Sequence, residues 1–319
     1  MFGQSVAALA HGWALLGVGA AGGATVEERR AVASGTVAAV YECFDVSMSD
    51  KVAHLQLKRP DELNTMTPAF WTELPTIVGE IDAAASARAI VISSTGKHFC
   101  AGMDLSVFTG GSALAGSGGA TEVGRQRANL WMMVQHLQDS FTALEQARMP
   151  VLAAVQGGAI GGAVDMICAA DMRYCSADAF FCIQEINIGM TADVGTLQRL
   201  PKLIPEGVAR ELAYTGDRMP AQRALEVGLV NQVFDAHDAL VAGVLAIAGR
   251  IATRSPLAIW GTKEMVNYTR DHSVADALKY MAGWQSGMFQ PADMLEEFAA
   301  KGEQRSPSFD ELPTRPSGI

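Results

Sequence analysis

The chain has 319 residues, 49% of them hydrophobic and 18% charged, with a formal net charge of −10. This is the composition of a globular protein with a large core, not of a disordered or fibrous chain, and the length allows one large domain or two modest ones. The acidic balance argues against general nucleic-acid binding, which needs a basic footprint; an anionic ligand would need local Lys or Arg side chains or helix N-termini.

Residues 1–40 hold an Ala- and Gly-rich run, Phe2 to Ala24, broken by Gln4, His11 and several glycines. No basic residues precede it, as a signal peptide requires, and Glu27 and Glu28 count against a transit peptide. This stretch reads as an N-terminal extension, poorly ordered or adventitious, and no membrane span is expected. Pro316-Ser317-Gly318-Ile319 is no peroxisomal address, so a cytoplasmic setting is expected.

Val52 to Arg59 alternates, with Ala53, Leu55 and Leu57 on one face, and predicts a half-buried strand. Thr67-Pro68 is a helix start, with a hydroxyl to cap and proline at the first helical position; Phe70, Leu74, Ile77 and Ile81 follow at helical spacing. Arg88 to Ser93 is a buried strand. Residues 109–124, rich in Gly, Ser, Ala and Thr, read as a mobile surface loop. A long helix carries Leu130, Val134, Leu137, Phe141 and Leu144 and stops before Pro150. Val151–Val155 is a strand, Gln156–Gly162 a tight turn, and a helix opens near Ala163. Short strands are expected at 173–175, 180–182 and 229–234. From Asp238 the pattern is helical, broken at Ser255-Pro256 and Pro291.

Two Gly-containing turns stand out, Phe99-Cys100-Ala101-Gly102-Met103-Asp104-Leu105 and Gly157-Gly158-Ala159-Ile160-Gly161-Gly162. Neither is a dinucleotide fingerprint or a phosphate loop. The second puts free backbone N–H groups at a helix start, which suits an anion or a developing oxyanion; its glycines could equally serve only close strand–helix packing. Three acids follow: Asp165, then Glu185 and Asp193, the last two amid Ile, Val, Met and Ala. Desolvation raises the pKa of such acids, and a pair of them beside an oxyanion hole is an acid/base pair. The plainer reading is that each caps a helix or pairs with Arg173 or Arg199. The six histidines show no metal spacing, the five cysteines form no CxxC pair and read as buried thiols, and no GxSxG elbow occurs.

Together the two turns resemble the oxyanion-hole segments of the enoyl-CoA hydratase/isomerase (crotonase) superfamily, over about residues 41–290. Gly161–Asp165, Asp171–Cys175, Ala192–Lys202 and Arg270–Val274 are similar to segments of its Δ3,5-Δ2,4-dienoyl-CoA isomerase branch. The resemblance implies an α/β fold, a crotonase-like spiral of ββα units over 41–245, with a C-terminal helical oligomerisation region over 246–319 forming a trimer or a dimer of trimers. It also implies an acyl-CoA thioester substrate, held by the backbone N–H groups of Met103 and Gly162. Ala101, Gly102, Asp104 and Leu105 should line the substrate, and Lys58, Arg59 and Lys263 are candidates for the CoA phosphates. Glu185, Asp193 and Asp165 take the catalytic positions, with Glu185 expected at C2 and Asp193 at C6, the reverse assignment remaining open, and Asp165 tuning Glu185. No metal and no cofactor beyond the substrate's own coenzyme A is implied, and no nucleic-acid or membrane partner. The expected activity is conversion of 3,5-dienoyl-CoA to 2,4-dienoyl-CoA. The alternatives are an enoyl-CoA hydratase and a noncatalytic acyl-CoA-binding scaffold on the same fold. One departure is Ala163, where a third glycine is common.

Overall fold

A computed structural model describes residues 40–104, 122–289 and 291–316. The extension and most of the Gly/Ser-rich loop expected from the sequence, and with them Leu105, lie outside the described residues.

The chain enters the sheet one strand earlier than the sequence suggests. β1 (Phe44–Ser49) and β2 (Val52–Leu57) form an antiparallel hairpin. Its two-residue loop, Asp50-Lys51, has left-handed backbone at both positions (φ 49° and 64°), the geometry whose twist matches paired strands. β2 then runs parallel to β3 (Ala89–Ser94), β3 to β4 (Val151–Val155), β4 to β6 (Met172–Ser176) and β6 to β9 (Gln232–Phe234), giving a six-stranded sheet ordered β1-β2-β3-β4-β6-β9. A second sheet, β5-β7-β8, pairs β5 (Gly158–Ile160) parallel with β7 (Phe180–Cys182), which meets β8 (Met219–Pro220) antiparallel. The turn expected at 156–162 therefore contains a three-residue strand.

Alternation along the central strands divides the interior in two. Ile90 and Ile92 of β3 and Val151, Ala153 and Val155 of β4 join a large cluster with α1 (Pro68–Ala84), the C-terminal half of α2 (Val123–Gln146) and α3 (Gly162–Ala169). Ala89, Val91, Leu152 and Ala154 face the other way and are covered by Leu240, Val244, Ala248 and Ala252 of α7 (His237–Ala252). α1 begins at the predicted proline, but the Thr67 hydroxyl does not cap it; that oxygen lies 3.5 Å from the Cys43 sulfur.

Between α3 and α7 the chain passes through α4 (Thr196–Arg199), α5 (Glu206–Thr215) and α6 (Ala221–Glu226). It ends in α8 (Pro256–Thr269), α9 (Val274–Met288) and α10 (Pro291–Glu303). A domain boundary between 245 and 246 would cut α7, which packs along its length on the sheet. The tail after α10 also returns to the core. Phe309 is buried, Arg88 holds Glu311 and the Phe309 carbonyl, and Arg315 reaches Asp82, which Arg148 pairs from within at 2.8 Å. Among the described residues no single helix is long and apolar enough to cross a membrane. α7 and α8 meet that test only as a pair bent by 108°.

Candidate active site

One backbone bridge sets the first turn against the second, and another ties it to Met66. Cys100 donates its N–H to the Gly158 carbonyl and accepts from the Ile160 N–H, laying residues 99–101 alongside β5. One step on, Met66 donates to the Gly102 carbonyl and accepts from the Asp104 N–H. In such a parallel bridge Met66 uses both its polar groups, so Met103 turns its own N–H the opposite way. That N–H meets no acceptor among the described residues. Neither does that of Gly162, the first residue of α3, where an intrahelical acceptor is missing by construction. Gly102 (φ 86°) joins the two turns: a β-carbon there would lie 2.7 Å from the Ile160 carbonyl oxygen and 3.5 Å from the Gly162 nitrogen. Buried Asn64 pins the approach, bonding the carbonyls of Thr95 and His98 and the N–H of Arg59. His98 is structural, since its Nδ1 accepts from the Gly158 N–H at 2.9 Å and burial lowers its pKa.

Glu185 and Asp165 lie beside the second turn, and the charge of Asp193 acts on both. Glu185 sits on the short 3-10 turn Gln184–Ile188 directly after β7. Its carboxyl rests against Gly161, whose hypothetical β-carbon would be 3.1 Å from Oε1, and Oε2 is buried without a partner among the described residues. Burial first, and the charge of Asp165 second, push its pKa up to about 7. Asp165, in the first turn of α3, is fully buried; its Oδ1 accepts the Thr196 N–H at the start of α4, while Oδ2 is unpartnered among the described residues. Burial raises it to about 6 against the opposing hydrogen bonds from Thr196. Asp193, half-buried in the loop between the 3-10 turn and α4, is likewise raised by burial, and its charge reaches both other acids. Carboxyls of raised pKa whose charges act on one another are suited to take up and release protons.

Other predicted site residues are placed differently. Lys263 is not presented to a ligand: its ammonium is buried, bonded to the carbonyls of Leu144 and Met149 and paired with Asp171 at 2.8 Å. Binding a CoA phosphate, the role expected from the sequence, would break three interior contacts, so this lysine serves the core instead. Lys58 is partly exposed and pairs with Asp45; Arg59 reaches the Thr65 carbonyl. Asp104 accepts from the Thr65 hydroxyl, and the Ala101 N–H donates to the Leu63 carbonyl. The alternative of an acid paired to Arg173 does not arise, since that guanidinium bonds the carbonyls of Leu229, Ile167 and Ala170. Asp165 does serve a helix start, as the plainer reading allowed. Its partner Thr196 was not anticipated; nothing in a one-dimensional pattern ties residues 31 positions apart. Among the described residues no group of three or more His, Cys, Asp or Glu side chains is placed to hold a metal.

The chain is similar to known proteins across this whole region. The family profile described as enoyl-CoA hydratase/isomerase matches residues 47–312. The human protein named Delta(3,5)-Delta(2,4)-dienoyl-CoA isomerase, mitochondrial, is 41% identical over 267 residues, covering 83% of this chain and 80% of its own length. The Arabidopsis thaliana protein of the same name, peroxisomal, is 41% identical over 271 residues, covering 85% and 97%. Relatives named as hydratases share 29% and 30%. The crystal structure of an enoyl-CoA hydratase from Bacillus anthracis superposes with a TM-score of 0.74 at 29% identity, covering 84% of this chain and 99% of that one. The compartment words in the isomerase names overturn the cytoplasmic setting expected from the sequence, which rested only on the lack of a recognisable signal. The chain belongs to the enoyl-CoA hydratase/isomerase family.

Proposed function

We propose that this protein isomerises 3,5-dienoyl-CoA to 2,4-dienoyl-CoA by moving a proton between its carboxyl groups and the two ends of the diene. The observation that carries this reading is Asp193, a half-buried carboxyl of raised pKa in the same cluster as Glu185. The thioester oxygen lies between the N–H groups of Met103 and Gly162. Glu185, held against Gly161 one residue from that amide, takes the proton from C2. The C2–H bonding pair moves into the conjugated system and charge builds on the thioester oxygen, where the two amides stabilise it; one such donor is worth about 10²–10³ in rate. Asp193 then delivers a proton to C6, the C5–C6 double bond takes up the new C–H bond, and the 2,4-diene remains. Removal and return occur four carbons apart, beyond the span of one carboxyl.

Ala101, Gly102, Asp104 and Leu105 would line the CoA side of the thioester, with Lys58 and Arg59 toward its phosphates. Coenzyme A enters as part of the substrate. A trimer or dimer of trimers would cover Leu278 on α9 and Leu295 and Phe298 on α10, all now exposed; light scattering measures the mass.

A hydratase needs a second carboxyl facing the attacking water. Asp165, which the resemblance to the family puts where hydratases carry that acid, is fully buried and turned to the Thr196 N–H, which favours the isomerase. The deciding experiment follows ultraviolet absorbance with 3,5-octadienoyl-CoA and with a 2-enoyl-CoA. Rising absorbance with the first supports the isomerase, falling absorbance with the second supports the hydratase, and no turnover of either supports the scaffold. Asp193→Asn should lower isomerisation by about 10²–10⁴; wild-type rates would refute its role.

A further inference from the structure

We propose that Gln138, on α2, is a positioning residue for proton delivery at the far end of the substrate: its side-chain amide aims Asp193. The inference rests on the role given to Asp193 above. Asp193 sits in an irregular stretch, 189–195, so no helix or strand ladder fixes its backbone. Three contacts do. The Thr196 N–H is tied to Asp165, behind the acid cluster. Arg199 Nη1 reaches the Val194 carbonyl at 3.5 Å, its guanidinium held by Glu145 at 2.7 Å and by the Thr142 hydroxyl at 3.2 Å. The third contact touches Asp193 itself: Gln138 Nε2 donates to its carbonyl oxygen at 2.7 Å. A bond to a residue's own carbonyl constrains ψ at that residue, and with it the direction of its side chain relative to the loop. Gln138, Thr142 and Glu145 lie on one face of α2 at helical spacing, so a single rigid helix carries both the amide and the Arg199 clamp.

Gln138 could instead merely satisfy a half-buried carbonyl. The two roles separate because the proposed reaction has two proton steps. Breaking the C2–H bond needs Glu185 and the amides; forming the C6–H bond needs Asp193. Gln138→Met keeps the length and loses the donor. Gln138, Val194, Gly195 and Arg199 also line an open cleft of about 680 Å³, so water can replace the lost donor and the fold should survive. Gln138→Asn keeps the amide but withdraws it by one methylene and should act alike, which covers failure of either variant to fold.

The experiment measures isomerisation of 3,5-octadienoyl-CoA and, in D2O, deuterium entry at C2 of the recovered substrate. Both variants should lose about tenfold in kcat, as a slightly misaimed group does, with KM unchanged and deuterium entry at C2 at the wild-type rate. Wild-type kcat in both variants, or a parallel fall of kcat and C2 exchange, would overturn the proposal. Asp193→Asn run alongside separates the failures. If it isomerises normally, the role of Asp193 falls and the role of Gln138 with it. If it is impaired while the Gln138 variants are not, only the role of Gln138 falls.

Discussion

The carboxyl of Glu185 lies against Gly161 so closely that a β-carbon on that glycine would come within 3.1 Å of Oε1. Gly161 also has φ 56°, a region that L side chains avoid, and donates its N–H to the Cys182 carbonyl. Gly161→Ala must therefore strain the turn and push Glu185 away from the neighbouring Gly162 amide. The expected result is a kcat loss of about 10²-fold and a stability loss of about 1–3 kcal/mol, read by isomerisation kinetics and urea unfolding. Unchanged kcat would show that the place of Glu185 does not depend on this turn.

Activity should depend on pH as a bell. One carboxyl of the Glu185/Asp193 pair must be ionised and the other protonated, so activity peaks where the pair holds one proton. The pair loses its last proton at about 7, the value to which Glu185 is raised, which puts the alkaline limb of kcat/KM near pH 7; within the singly protonated pair the reactive form is the one with the proton on Asp193. The acid limb lies above the ordinary Asp range, because burial raises Asp193 as well. Since the charge of Asp165 is the second cause of the Glu185 shift, Asp165→Asn should move the alkaline limb downward. A limb that stays in place would separate the two groups.

The same substitution should stabilise the fold at high pH. Asp165 is raised to about 6 by burial, so the native state favours its protonated form. That contribution is complete below the unfolded value near 4 and is lost as pH rises through about 6. Asp165→Asn keeps an oxygen for the Thr196 N–H and never charges. Its unfolding free energy should exceed that of the parent by about 2–3 kcal/mol at pH 8 and match it at pH 4, as denaturant titrations at both pH values will report. Equal stability at pH 8 would mean that the buried carboxylate carries no such penalty.

Lys263 should matter for stability and not for ligand affinity. Lys263→Met leaves the Leu144 and Met149 carbonyls and Asp171 without their shared donor, at a cost of about 1–3 kcal/mol. KM for CoA thioesters should be unchanged; a large rise would restore the lysine to the phosphate site.

Elements with a clear period were legible in the sequence. Phe70, Leu74, Ile77 and Ile81 announce α1, and the apolar run of β3 announces a strand buried on both faces. The glycine turns and the three acids were visible as well, and the isomerase reading agrees with relatives at 41% identity. β1 was missed because most of its residues face solvent and show no apolar alternation. β5 was read as a turn because three residues between glycines carry no period. Asp165–Thr196, Gln138–Asp193 and Lys263–Asp171 were invisible for another reason: each pair belongs to segments far apart in the chain, and only the folded sheet brings them together.

The tail at 309–315 gives the seam on α1 a place in time. Asp82 pairs with Arg148, 66 residues along the chain, yet Arg315, which closes the other side of its carboxylate, lies 233 residues along. Arg148 likewise takes the Pro313 carbonyl, and Arg88 the Phe309 carbonyl. A chain emerging from a ribosome must hold this salt-bridged edge of α1 open to water until residues 309–315 have been made, and only then does that segment fasten a helix laid down 233 residues earlier.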